Sequence, residues 1–216
     1  MIPHMLSNTP DFLEWSKQYR FVRAFKSMDQ AQFFINGNFY CSHICKNHIM
    51  NDQREDKNEG IAYIFKPFHT NTYQTIQPLF HSPIITISNP AIRQGDLIQY
   101  SYHMNALNLC VGLVKYLPIC GKMYERYKGF GNYWVIGEFY DLLQSVQNIP
   151  DWVVAYKVLY SNELIGNWVK RTDYEDEHEF KFLFNNSHNI SETAAYIYKT
   201  DPLTSSQIIE LRQYES

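Results

Sequence analysis

Apolar and polar positions alternate in short stretches along this chain, and long helical periodicity is rare. QYRFVRAFKS (18–27) sets Tyr19, Phe21, Arg23 and Phe25 against Arg20, Val22, Ala24 and Lys26, which is the two-residue period of a strand. Asp11 to Gln18, before it, reads as a short amphipathic helix or arm. After it, Ser27 is a natural N-cap for a short helix over Met28 to Ile35, ended by Asn36-Gly37-Asn38. FYCSHI (39–44), SPIITIS (82–88), the end of GFGNYWVIGEF (129–139), DWVVAYKVLYS (151–161) and EHEFKFLFNN (177–186) read as strands. Gly60 to Phe68 fits strand or helix, and 69–83 reads as loop. Within SYHMNALNLCVGLVKYLP (101–118), the first part is compatible with a helix and LNLCVGLVKYL with a buried strand. Phe139 to Val146 is helical in pattern, and DPLTSSQIIELRQYE (201–215) carries a Ser/Thr cap signal before a short helix.

Many short strands with few helices predict an α+β domain built on two small sheets rather than a doubly wound fold. No G-x-G-x-x-G follows a strand and no G-x-x-x-x-G-K-[ST] occurs, so dinucleotide-fold and P-loop readings lose their main support. The 216 residues fit one domain.

Composition changes this picture in two ways. Aromatics make up 16% of the chain, with 17 Tyr and 14 Phe, so many rings are expected at least partly exposed. Net charge is −3, which argues against a protein that coats duplex by neutralising phosphates. A local groove that stacks unpaired bases stays compatible with it. Cys41, Cys45, Cys110 and Cys120 form no C-x-x-C pair. No secretory signal and no apolar run of membrane-spanning length is visible, so the expectation is a reduced, cytoplasmic protein.

The candidate chemistry begins with KRTDYEDEHEFKFLF (170–184), where Glu177 and Glu179 stand at the mouth of a strand. Two residues apart on a strand, both carboxylates face one side, and their repulsion raises the pKa of one. Such a pair can stabilise a developing positive charge and accept a proton. The same spacing suits a plain solvated strand mouth. Arg23, on a strand beside aromatic rings, has the donor fork that recognises a diphosphate, or it is an edge arginine paired with an acidic loop. Cys41, His43, Cys45 and His48 do not follow a usual structural-zinc spacing, and no metal is expected. Ser42, Asn51, Asp52 and Glu55 are polar groups that either line a cleft or form turns. RYKGFGN (126–132) is either a pocket wall or a hairpin entry. No G-x-S-x-G elbow occurs.

Taken in order, an Arg-bearing strand, a Ser-bearing strand and a late E-x-E resemble the Arg–Ser–Glu arrangement of ADP-ribosyltransferases. A nearer resemblance is to a bacterial family of small ADP-ribosyltransferase-like proteins found near phage-defence and toxin–antitoxin genes. The matching residues are Tyr19 to Phe25, MNDQRE (50–55), FGN (130–132) and KRTDYEDEHEFKF (170–182). Met50 stands where that family has an aromatic, Asn132 replaces an acid, Lys181 replaces Arg, and Ser42 lacks a surrounding Ser-Thr-Ser run.

The resemblance covers about 18–185 and leaves 186–216 as a tail of unassigned role. It implies an ADP-ribosyltransferase-like core of two small packed sheets and NAD as a substrate. Arg23, Ser42, Asn51 and Asp52 would face NAD. Glu179 would be the catalytic carboxylate, and Glu177 would orient or deprotonate the acceptor. The implied activity is a toxin that modifies a macromolecule, with RNA or DNA favoured over protein as acceptor, and an antitoxin protein as partner. An NAD glycohydrolase and a non-catalytic binding module are the rival readings.

Overall fold

The computed structural model describes residues 10–44, 61–67, 74–76, 85–87, 97–103, 105–160 and 169–211. In chain order the elements are α1 (Pro10–Ser16), β1 (Arg20–Phe25), α2 (Met28–Ile35), β2 (Asn38–His43), β3 (Ile61–Pro67), β4 (Gln74–Ile76), β5 (Ile85–Ile87) and β6 (Leu97–His103). There follow β7 (Ala106–Val114), α3 (Gly121–Phe130), β8 (Tyr133–Glu138), α4 (Phe139–Gln147), β9 (Trp152–Lys157), β10 (Leu159–Tyr160) and β11 (Val169–Lys170). A 3₁₀ turn (Thr172–Glu177), β12 (Glu179–Asn185), β13 (Ala195–Lys199) and β14 (Gln207–Glu210) complete the series.

The class is α+β. Eight strands pair antiparallel in one branched sheet, β13-β2-β7-β1-β8-β14, with β12 on β7 and β9 on β12. Three two-stranded pairs, β3 with β6, β4 with β5, and β10 with β11, stand apart from its hydrogen bonding. Where two small sheets were expected, the main strands share one ladder, because β7 joins both halves. One edge of β7 carries β12 from Ala106 to Gly112. The other edge is divided, with Ser42 and His43 of β2 at one end and Arg20 to Val22 of β1 at the other. Between these contacts, at 109–111, neither β1 nor β2 pairs with β7.

The strand periods place two cores. Odd residues of β7 (Leu107, Leu109, Val111, Leu113) and even residues of β12 (Phe180, Phe182, Phe184) pack with Phe12 of α1, Phe34 of α2 and Phe139, Leu142, Leu143 and Val146 of α4. On the opposite side Met123 and Tyr127 of α3 cover Val22, Trp134 and Ile136. Removing these apolar surfaces from water is the main force holding the layers together. Ser27 caps α2 as expected, its Oγ accepting from Gln30 N at 3.3 Å, and Gly37 takes the left-handed conformation (φ 79°) that ends it.

Four expectations change. Residues 97–103 and 106–114 are strands, so no helix opens 101–118; residue by residue, 106–114 is buried on both faces, which suits a strand. Gly121–Phe130 is a helix, not a hairpin entry: Met123 and Tyr127, one turn apart, both turn into the core. Gln207–Glu210 is a strand on the edge of β8, because pairing with Tyr133–Ile136 overrides the local cap signal. Gln74–Ile76, inside the expected 69–83 loop, pairs with Ile85–Ile87. The tail beyond 185 closes the sheet, β13 on β2 and β14 on β8. Among the described residues no helix is long and apolar enough to cross a membrane.

Candidate active site

The site lies on the face of the sheet that the phenylalanines of β12 leave. Alternation sends Glu179 and Lys181 to that face, beside Cys110 and Gly112 of β7. Glu177 does not share the strand. It ends the 3₁₀ turn, His178 adopts a left-handed conformation (φ 45°), and Glu179 opens β12. The two carboxylates therefore converge through a backbone kink rather than through strand alternation. A positive φ at a non-glycine residue is uncommon and concentrates at functional sites.

Both carboxylates meet one ammonium. Lys170 Nζ, at the end of β11, lies 3.0 Å from Glu177 Oε2 and 2.7 Å from Glu179 Oε2. Only the first of these is aligned as a hydrogen bond, and the second acts as an ion pair. Lys181 Nζ, 1% exposed, stands 3.9 Å from Glu179 Oε1. Glu177 and Glu179 are each 7% exposed, so their charges are largely out of water.

That burial splits the pair. For Glu177, desolvation dominates and raises its pKa from the ordinary value, with Lys170 opposing and Glu179 adding to the rise. For Glu179, desolvation also disfavours the charge, but Lys170 and Lys181 override it and hold the carboxyl down at about 2. The crowding of like charges thus falls on Glu177, and Glu179 stays anionic. Two carboxyls pushed apart in this way are suited to different roles, one as a fixed anion and one as a proton carrier.

Neighbouring elements hold this geometry. Tyr160 Oη accepts from Glu179 N at 2.8 Å, and Tyr127 Oη donates to Glu177 O at 3.0 Å. Tyr127 reaches that carbonyl across Gly112: a Cβ there would overlap Tyr127 Oη and stand 3.0 Å from Glu177 O. Arg126 pins the 3₁₀ turn to α3, donating to Asp173 O at 2.6 Å and pairing with Asp176 at 3.3 Å.

Arg23 lies across β7. Val22 of β1 and Glu179 of β12 pair with the same residue, Gly112, from opposite edges. Two strand spacings put the backbones of β1 and β12 about 10 Å apart at that level. Arg23 follows, so alternation turns it to the other face of the sheet, beside Val135 of β8 and the phenylalanine core, with its guanidinium over the rings of Phe34 (5.1 Å) and Phe25 (5.6 Å); the fold does not bring it onto the face of Glu179. Its Nη1 is buried and makes no hydrogen bond. Burial works against this charge, while Cys110, Cys41 and Tyr127 favour it. Cys110 bears on both groups, favouring the charge of Arg23 and helping to hold the Glu179 carboxyl down. Arg23 as a whole is half-buried, and a buried donor left unused in this way is costly unless an acceptor completes it.

Ser42 is not part of this cluster. It pairs with Asn108, its Oγ donating to Asn108 Oδ1 at 3.2 Å, four residues along β7 from Gly112 or about 13 Å of strand. Asn51 and Asp52 lie outside the described residues, as do Cys45 and His48. Among the described residues no group of three or more His, Cys, Asp or Glu could hold a metal. The charge pattern of the sequence pointed to Glu177 and Glu179 but not to Lys170, Tyr160, Cys110 or Tyr127. Only the one-turn spacing of Met123 and Tyr127 hinted that Tyr127 faces inward.

Beside the site, a cleft of about 430 Å³ opens at the end of β7 and is bordered by His178, the residue between the two glutamates. No family model, no curated protein and no solved structure matches this chain.

Proposed function

We propose that the protein is an ADP-ribosyltransferase that transfers ADP-ribose from NAD to a macromolecular acceptor, with RNA or DNA favoured, as a toxin in anti-phage defence with an antitoxin partner. The observation that carries this reading is the buried Glu179 carboxylate, ion-paired with Lys170 at 2.7 Å and Lys181 at 3.9 Å and brought together with Glu177 by the kink at His178. Cleaving the glycosidic bond of NAD leaves a cationic sugar. A fixed carboxylate out of water stabilises that charge most effectively. In this reading Glu179 faces the ribose. Glu177, whose raised pKa brings it nearer neutrality, takes the acceptor's proton.

One observation favours a second reading. Lys170 holds Glu179 at 2.7 Å, so the carboxylate is engaged before any substrate arrives. A non-catalytic module that kept this pair for structure alone would look the same. NAD labelled on the adenylate phosphate, incubated with the protein in a bacterial lysate, separates the readings. Glu179→Gln is the control, with a thermal melt to show that it folds. Label on a macromolecule that needs Glu179 supports transfer, and sensitivity to RNase, DNase or protease names the acceptor. Intact NAD and no label would leave the binding module. NAD consumed without macromolecular label would indicate a glycohydrolase.

A further inference from the structure

The cleft at the end of β7 is separated from both glutamates by one residue, His178, which lines it. Leu113, Val114, Ile119 and Met123 give it an apolar floor, and its rim combines two further chemistries. Trp15 and Tyr19, with ring centroids 4.5 Å apart, form one aromatic side, and Tyr116, 83% exposed, stands free on the rim. Lys115, Lys157 and His178 supply the polar edge, all three exposed, with Lys115 Nζ 5.1 Å from the Tyr19 ring. Among the described residues no Asp or Glu lines the cleft, although the chain as a whole carries a net charge of −3. Aromatic faces flanked by ammonium groups suit a base and its phosphate, because rings stack on bases while lysines neutralise the backbone. A base reaches such faces only when it is unpaired. The volume of about 430 Å³ falls within the size of small-ligand sites, roughly 300–1,000 Å³.

We infer that this cleft binds an unpaired nucleotide of a single-stranded polynucleotide, and so delivers the acceptor to Glu177 and Glu179. The delivery role rests on the transferase reading; the binding does not. A polynucleotide is favoured over a protein acceptor because the rim pairs exposed rings with cations.

The test is fluorescence anisotropy with a labelled 12-nucleotide single-stranded RNA, the matching DNA and the duplex, at two salt concentrations, without NAD. The wild-type chain is expected to bind both single strands better than the duplex. Tyr116→Ala, a change at an exposed ring, is expected to weaken binding at least about fivefold through lost stacking. Lys115→Ala with Lys157→Ala is expected to weaken it and to lower the logarithmic salt slope by about 1.4, or 0.7 for each phosphate contact on a single strand. Glu179→Gln is expected to bind the oligonucleotide like wild type. Equal affinity for duplex, no effect of Tyr116→Ala, or equal displacement by a poly-glutamate peptide would overturn the inference. Oligonucleotide binding with no NAD turnover would keep the cleft and remove the transferase reading, whereas labelling of a macromolecule without oligonucleotide binding would do the reverse.

Discussion

The two faces of β12 are buried to nearly the same degree and do opposite things. Phe180, Phe182 and Phe184 meet the helices α1 and α4 and other rings, such as Phe139 at 4.8 Å from Phe180. Burial there is favourable by itself, since it only removes apolar surface from water. Glu179 and Lys181, one residue away on the other face, are 7% and 1% exposed. Burial there is unfavourable until each charge finds a partner. The apolar face makes the fold, and the charged face depends on it. Charges kept in so unfavourable a place add nothing that stability alone requires, because apolar residues of similar size would serve it better.

The largest effect is expected on the apolar face. Phe182→Ala should lower stability by about 3–5 kcal/mol through a cavity in the main core, read by denaturant titration. Loss of under ~1 kcal/mol would mean that the rings of β12 do not carry the core.

Glu179→Gln inverts the contrast. The rate of NAD-dependent labelling should fall by ~10²–10⁴. Breaking a buried pair usually costs about 3–5 kcal/mol, and Lys170 retains Glu177, so stability should fall by less than that. A variant that melted like wild type and kept its activity would remove Glu179 from the site.

The same pair sets a pH profile with two opposing limbs. Glu177 has its folded pKa above the unfolded value. As pH falls through that folded pKa the native state binds the proton first, and stability rises. Glu179, at about 2 in the fold, stays charged while the unfolded chain takes up its proton. Its contribution is therefore present above the unfolded pKa near 4.5 and lost as pH drops toward 2. Melting temperature against pH should lose the acid-side fall in Glu179→Gln and the earlier rise in Glu177→Gln. Identical profiles in the two variants would show that the carboxylates are not split.

Gly112→Ala tests how the two faces share one strand. The added methyl displaces Tyr127 from Glu177 O and should cost about 1–3 kcal/mol by overpacking. Labelling activity should drop more than stability alone explains, because the 3₁₀ turn would move with the tyrosine. An unchanged melt and unchanged activity would show that the contact is not needed.

The smallest effect is expected far from both faces. Arg20 pairs with Glu138 at 3.1 Å with both side chains 45% exposed. Arg20→Ala should change stability by about 0.2–1 kcal/mol, since solvent screens such a pair. A larger loss would mean that charge at the β1–β8 edge contributes as much as charge inside.

Much of this was legible along the chain. Alternating periods placed β1, β2, β8, β9 and β12, and Ser27 with Gly37 marked both ends of α2, because these signals depend only on neighbours in sequence. The acidic run marked Glu177 and Glu179, but the expected strand spacing was not what joined them. The kink at His178 was, and no local pattern announces it. Tertiary structure alone decided that β7 carries β12 on one edge and both β1 and β2 on the other. It also decided that residues 207–210 pair with β8 instead of forming a helix, and that Lys170 comes between the two glutamates. Local sequence sets which way each side chain faces on its own element. Which charges share a low-dielectric space depends on strands far apart in the chain, and that was settled only when the core they border had closed.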